Sequence, residues 1–257
     1  MFGKFAVRGI AALFFLLPAV FGAAPQAFAQ YQINADTAAL EPARGAPSAV
    51  AEPFGLKTVP VIAGALLEKW DGVISEIRAE SGILARCREE VPLCPPAAKK
   101  FLAVIAEGRE RQGRARVGVI NRAINLAIAP TSDLKQWGVV DRWSAPLETL
   151  TTGRGDCEDY AIAKYVALLQ AGVAADDVRL VIVRDLALAQ DHAVVAARLD
   201  GRWIMLDNRR LILLQDVEMP AVRPLFVLGD SGVKQFASTD FAGADRIPVA
   251  APGSLEF

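Results

Sequence analysis

The apolar pattern of this chain changes period at Gly172, and that change does most to fix what the chain can fold into. Before it, apolar residues recur at helical spacing. Leu66, Trp70, Val73 and Ile77 mark one face of a helix running from Ile62 to near Arg86. Pro95 and Pro96 supply a second helix start, because proline is tolerated in a first turn, and Phe101, Leu102 and Ile105 form its inner face. A third helix spans Arg114–Ile128 on the stripe Val117, Ile120, Ile124 and Ile128, with Pro130 as its stop. A fourth runs from Cys157 to Ala171, buries Ala161, Tyr165, Leu168 and Leu169, and is capped by Gly172. After Gly172 the period becomes two, giving strands over Val178–Arg184, His192–Leu199 and Arg202–Asp207. Shorter strands are expected at Leu211–Leu214, Pro224–Leu228 and Gly232–Phe236. Helices first and an antiparallel sheet after them is the α+β arrangement.

The ends read differently. Lys4 and Arg8, the apolar run Ile10–Phe21 and Ala27-Phe28-Ala29 make residues 1–29 a secretory signal peptide cleaved after Ala29, so the mature protein is expected to be exported. The run is too short to span a bilayer, which takes about 20 apolar residues, and Pro18 interrupts it. Residues 30–58, rich in Ala and Pro, read as a flexible lead-in, and 238–257 as an irregular tail, leaving one domain over 59–237. Cleavage removes two of the 28 basic residues and none of the 29 acidic ones, so the formal charge moves from −1 to −3. A nucleic-acid partner is therefore not suggested. Between Thr131 and Thr152 no period is visible, and Trp137 and Trp143 are expected to order that connection against the core.

Three cysteines in an oxidising compartment leave one over if two pair. Cys87 and Cys94 are close and flanked by Pro92, Pro95 and Pro96, so they are expected to close a small disulfide loop; Cys157 is the odd thiol. Asp200-Gly201 is a two-residue hairpin turn. If Leu199 pairs with Arg202, then His192, Val194, Asp207 and Arg209 share one face, and His192 and Asp207 are diagonal neighbours within reach of a side-chain hydrogen bond. A carboxylate on one ring nitrogen fixes the tautomer and leaves the other nitrogen to take a proton from a thiol. Cys157 at a helix start, His192 as base and Asp207 as orienter suit acyl transfer through a thioester. The Cys157 N–H could stabilise the oxyanion, with the Trp143 indole as a second donor. Against this, a lone strand histidine is more often structural, and a helical cysteine is usually a small core residue. The coincidence of an unpaired exported cysteine at a helix start with the chain's one histidine beside an aspartate favours the site.

Asp156, Glu158 and Asp159 flank that cysteine. Asp156 can cap the helix and Asp159 complete a capping-box-like pair. Asn121 and Asn125, beside the apolar stripe of the third helix, read as packing amides. Yet three carboxylates raise a thiol's pKa, and a hard cation such as Ca²⁺, which takes carboxylate oxygens in flexible geometry, would remove the conflict.

The stretch Gly155-Asp-Cys-Glu-Asp-Tyr-Ala, Lys164-Tyr165, Asp141-Arg-Trp143 with Pro146, Asp191-His-Ala-Val194 and Leu206-Asp-Asn208 together resemble the bacterial transglutaminase-like cysteine peptidases of the LapG type, over most of residues 60–230. The resemblance implies a papain-like, transglutaminase-like α+β fold with a Cys157, His192, Asp207 triad. It implies Ca²⁺ beside the nucleophile, held by Asp156 and Glu158 with Asp159 as a further ligand. It also implies a periplasmic endopeptidase that cuts a surface adhesin at a paired-alanine site, controls biofilm attachment and is sequestered by an inner-membrane cyclic-di-GMP receptor; the protein is expected to be a monomer. Two other enzyme readings keep the same triad, a transglutaminase with an amine acceptor and a cell-wall amidase. A third reading is a non-catalytic binding module.

Overall fold

A computed structural model describes residues 51–89 and 93–237. The signal peptide over 1–29, the lead-in over 30–50 and the tail over 238–257 lie outside the described residues. Among the described residues no helix is long and apolar enough to cross a membrane.

Helices α1 (Ala65–Glu89), α2 (Pro96–Arg109), α3 (Gly113–Ala127) and α6 (Cys157–Gln170) follow the four apolar stripes. Phe101, Ile105, Ile120 and Ile124 are removed from water almost completely, which is worth about 1.5–3 kcal/mol each. Trp70 of α1 meets Tyr165 of α6 edge to face, ring centroids 5.5 Å apart, so the first helix is keyed to the central one. The Cys87–Cys94 disulfide forms as expected and ties the end of α1 to the start of α2. The connection between α3 and α6 is ordered, but by two short helices, α4 (Asp133–Trp137) and α5 (Pro146–Thr152), as well as by tryptophan. A helix of five or seven residues is too short to show a period, so the pattern could not reveal them.

Among the described residues, seven strands make the main sheet: β1 (Thr58–Pro60), β4 (Val178–Asp185), β5 (Gln190–Leu199), β6 (Arg202–Leu206), β7 (Leu214–Gln215), β8 (Val222–Gly229) and β9 (Gly232–Phe236). Their order is β1-β9-β8-β4-β5-β6-β7, every neighbour antiparallel. Two further short segments, β2 (Ala129–Pro130) and β3 (Arg154–Gly155), pair in parallel just before α6. The β5–β6 register is the expected one, from Leu199↔Arg202 to Val195↔Leu206. Asp200 and Gly201 both take positive φ, 49° and 77°, as a two-residue turn that follows strand twist requires.

One sheet face packs on the helices through Leu180, Ile182, Ala193, Val195 and Leu206. The other holds Val181, Val183, Val194, Ala196, Trp203 and Met205, and Phe54, Leu56 and Met219 cover it. The cover corrects the flexible reading of residues 30–58 where they are described. From Ala51 the chain belongs to the fold: the Trp203 indole donates to the Ala51 carbonyl at 2.9 Å, buried Glu52 pairs with Arg179 at 2.8 Å and Lys234 at 2.9 Å, and β1 extends the sheet on β9. Its apolar contacts, Phe54 and Leu56, are too few to set a period, and the rest of its attachment is an ion pair and backbone bonds, so it left no periodic trace.

The strand expected over Leu211–Leu214 is also corrected. Only Leu214–Gln215 pairs, and residues 208–213 form a loop. Its carbonyls are taken by side chains of α3: Asn121 reaches Arg210 and Leu211, Asn125 reaches Asp207 at 2.9 Å and Arg210 at 3.3 Å, and Arg114 reaches Leu213 at 2.6 Å. The two amides are packing groups, as the sequence suggests, and what they fix is the chain on either side of Asp207.

Candidate active site

Cys157 is the first residue of α6 and the free cysteine. The turn before it is anchored by the β2–β3 pairing, by the Thr131 N–H on the Gly155 carbonyl at 2.9 Å and by the Tyr160 hydroxyl on the Ile128 carbonyl at 2.6 Å. Gly155 is required there, because a Cβ would stand 2.7 Å from the Cβ of Asp159 and 2.6 Å from its Oδ2. The sulfur opens on a cleft of about 300 Å³ lined by Pro130, Thr131, Ser132, Gln190, Asp191, Asn208 and Arg209 as well as Asp156.

His192 stands near the start of β5 and is buried. Strand β6 stops pairing at Leu206, so Asp207 lies just past the ladder, on the register the turn dictates. His192 Nε2 and Asp207 Oδ1 are 2.9 Å apart, and His192 Nδ1 has no partner among the described residues. The Cys157 thiol donates to Glu158 Oε2 at 3.3 Å, and the backbone N–H of Ala193, next to His192, favours its thiolate. The structure thus brings His192 and Asp207 together, one imidazole nitrogen held by the carboxylate and the other left for a proton, and Cys157 lines a cleft with Asp191 and Asn208, their chain neighbours. Asp207 also accepts the Arg209 N–H at 2.9 Å on Oδ1 and the Arg210 guanidinium at 3.1 Å on Oδ2. Burial pushes its pKa up, but the His192 hydrogen bond and charge, the Arg209 N–H and Arg210 outweigh that and hold it at about 2. Lys164, two turns along α6, is buried with its ammonium 5.8 Å from the Tyr160 ring centre; desolvation pushes it down to about 7 against the pull of Asp207.

The acidic neighbours do not cap the helix. Asp156 occupies the N-cap position without a side-chain cap bond, and Asp159 accepts the Ser144 N–H at 2.9 Å through Oδ1. The Asp156 half of the capping-box reading is corrected accordingly; the Asp156 N–H still pulls the Asp159 carboxyl down, and the carboxylates gather in a buried acidic cluster. Asp133 and Asp141, from α4 and the loop after it, complete it. Ligand atoms of Asp133, Asp141 and Glu158 lie within 4.8 Å of one another, and so do those of Asp133, Asp156 and Asp159. One oxygen of each of the five, Asp133 Oδ1, Asp141 Oδ1, Asp156 Oδ1, Glu158 Oε1 and Asp159 Oδ2, is buried without a hydrogen-bond partner among the described residues. Burial pushes Asp133 up to about 6 and Asp159 to about 8, with repulsion from Asp156 adding to both, and burial raises Asp156 and Glu158 as well. The Cys157 thiol is pushed well up by burial, then by Glu158 and Asp156, while the Ala193 N–H pulls it back. Convergent carboxylate oxygens with unused lone pairs are the donor set a hard divalent cation takes, so these residues fit Ca²⁺. The sequence showed Asp156, Glu158 and Asp159 because they adjoin the cysteine. It missed Asp133, which reads as a first-turn acid, and saw no ligand in Asp141 before Arg142-Trp143. The Trp143 indole N–H is buried without a partner, but Trp143 does not line the cleft.

A cysteine at the start of a helix packed on an antiparallel sheet that carries the histidine defines a papain-like cysteine peptidase fold of the transglutaminase-like kind. The chain belongs to the bacterial transglutaminase-like cysteine proteinases, BTLCP, whose family profile matches residues 77–217, and it is a cysteine peptidase. No curated protein matches it in sequence. Among solved structures it is similar to Legionella pneumophila LapG, at 23% identity over 62% of this chain and 88% of that one, with a TM-score of 0.51. The calcium-bound form of that protein matches at 22% identity over 63% and 91%, TM-score 0.50. The EGTA-treated form matches at 24% over 62% and 86%, TM-score 0.51. At this identity the likeness shows the fold.

Proposed function

We propose that this cysteine peptidase is an exported, periplasmic, calcium-dependent endopeptidase that works through Cys157, His192 and Asp207 and releases a cell-surface adhesin. The observation that carries the reading is the buried imidazole held on one side only: Nε2 lies 2.9 Å from Asp207 Oδ1, and Nδ1 has no partner among the described residues. His192 takes the thiol proton, the sulfur attacks the peptide carbonyl, and His192 returns the proton to the leaving amine. Water activated by the same imidazole then hydrolyses the thioester. Asp207 keeps the ring oriented and supports its charged form, and it is itself held by Arg210 and by Asn125 on its carbonyl.

Asp133, Asp141, Asp156, Glu158 and Asp159 would hold the calcium. When bound, the ion offsets the negative field that these carboxylates place on the thiol. Calcium-bound and EGTA-treated forms of Legionella LapG support the choice of ion. The adhesin substrate, the paired-alanine cleavage site and a sequestering cyclic-di-GMP receptor follow from the resemblance to LapG-type enzymes.

The test compares proteins released from the surface of producing cells with those from a Cys157→Ala strain. One new alanine-flanked terminus, absent from the variant, is expected; identical release from the two strains overturns the reading. Labelled amine and purified muropeptides, offered to the purified enzyme, report transglutaminase or amidase chemistry instead. Cleavage is expected to stop in excess EGTA and return with calcium, and full turnover in EGTA refutes the metal's role.

A further inference from the structure

Helix α1 serves the core through Leu66, Trp70 and Val73, but one residue of its first turns faces the acidic cluster. The Lys69 ammonium pairs with Asp141 Oδ2, and its charge also acts on Glu158 and Asp133. These three carboxylates are one of the two groups whose oxygens converge. The Lys69 side chain is 31% exposed and that of Asp141 only 7%, so the ammonium can withdraw into water on its flexible stem while the carboxylate stays.

We propose that Lys69 is the resident counter-ion of this cluster: it holds Asp141 in the cation-free protein and must be displaced from it when calcium binds, so that it sets the calcium concentration at which the site fills. The proposal rests on the calcium reading above. Buried carboxylates without a compensating charge are costly, and Lys69 supplies one to them in the absence of metal. The same charge opposes a divalent ion drawing on Asp141, because two cations at ion-pair distance from one carboxylate repel. Asp141 offers an incoming ion its unpartnered Oδ1, but in the cation-free protein Oδ2 of the same carboxylate is engaged by the ammonium, so ion and Lys69 compete for a single side chain.

Calcium affinity is measured on the purified full chain by calorimetry and chelator-buffered titration, for the wild type, Lys69→Met and Lys69→Arg. Thermal unfolding is followed in EGTA and in saturating calcium. Lys69→Met is expected to bind calcium about tenfold tighter, on the scale of losing one partly exposed ion pair beside a divalent centre. It should also melt below the wild type in EGTA and show a wider gap between its two melting temperatures. Lys69→Arg keeps the charge and should bind like the wild type. Unchanged or weaker affinity in Lys69→Met, with the wild type binding normally, overturns the proposal. Absence of calcium binding in both removes the calcium reading and the proposal with it. Lys69→Gln, a second neutral variant, gives the same comparison if the methionine variant does not fold.

Discussion

Replacing Asp207 with asparagine keeps the shape of the side chain and removes the property on which the site depends. Oδ1 accepts from His192 and from the Arg209 N–H, and Oδ2 faces the Arg210 guanidinium. All three partners donate when the imidazole is protonated or carries its hydrogen on Nε2, so the amide nitrogen introduced by the substitution must confront a donor in either orientation. Holding the carboxyl at about 2 instead of its ordinary 3.8 corresponds to about 2 kcal/mol of stability, at 1.36 kcal/mol per pKa unit. The folded-state pKa is depressed, so this stability is present above pH 3.8 and is lost as pH falls through 2. Asp207→Asn should therefore unfold in urea with a stability about 2 kcal/mol lower at pH 7, and the difference should shrink as pH is lowered toward 2. In the same preparations kcat/KM for peptide cleavage should fall by about two to four orders of magnitude, and alkylation of Cys157 by iodoacetamide at pH 7 should slow, because the ring loses its orientation and the support for its charged form. A variant that cleaves like the wild type, or whose stability at pH 7 is unchanged, shows that Asp207 is a strand-ending residue and refutes its role.

Two other perturbations probe the frame of the site. Gly155→Ala places a methyl group 2.7 Å from the Cβ of Asp159, which the α6 backbone fixes, so the turn before Cys157 must shift; a loss of about 1–3 kcal/mol and weakened calcium binding are expected, and an unchanged melting temperature would contradict the close approach. Glu80 of α1 accepts the Leu147 and Glu148 N–H groups at the start of α5, and burial raises its carboxyl from 4.5 to about 7 against those bonds. A raised folded-state pKa means its contribution is complete below pH 4.5 and is lost as pH rises through 7. Discounted for partial exposure, that is about 1–2 kcal/mol, so Glu80→Gln should flatten the fall in stability across this interval; an identical pH profile in variant and wild type argues against it.

Much of this architecture was legible because it is periodic or local. The stripe Val117, Ile120, Ile124 gives α3, and Asp200-Gly201 fixes a register that carries His192 to Asp207. The odd cysteine follows from the nearness of Cys87 to Cys94. What was not legible depends on tertiary competition. Leu211–Leu213 looks like strand, but Asn121, Asn125 and Arg114 claim the carbonyls around it before a ladder can. Residues 51–58 look like linker, but Glu52 is held by two cations far along the chain. Asp133 and Asp141 join the cluster through a connection whose two helices are too short for any period to report.

The stretch Asp156-Cys-Glu-Asp159 shows why nucleophile and acidic cluster are one structural problem. Acidic residues at a helix start ordinarily stabilise it, by capping and by meeting the positive end of the dipole, and a cap is worth about 1 kcal/mol. Here Asp156 leaves the cap unmade, and Asp159 is drawn off to Ser144 across the gap that Gly155 keeps open. The turn that presents the sulfur therefore forgoes a source of its own stability and collects repelling carboxylates instead. A cation bound to their free oxygens would lock that turn and relieve the thiol in the same step. The proposed calcium requirement is then a property of how α6 begins: a version of this helix with a conventional cap would keep its first turn without metal, and would take Asp156 and Asp159 out of the set that could bind one.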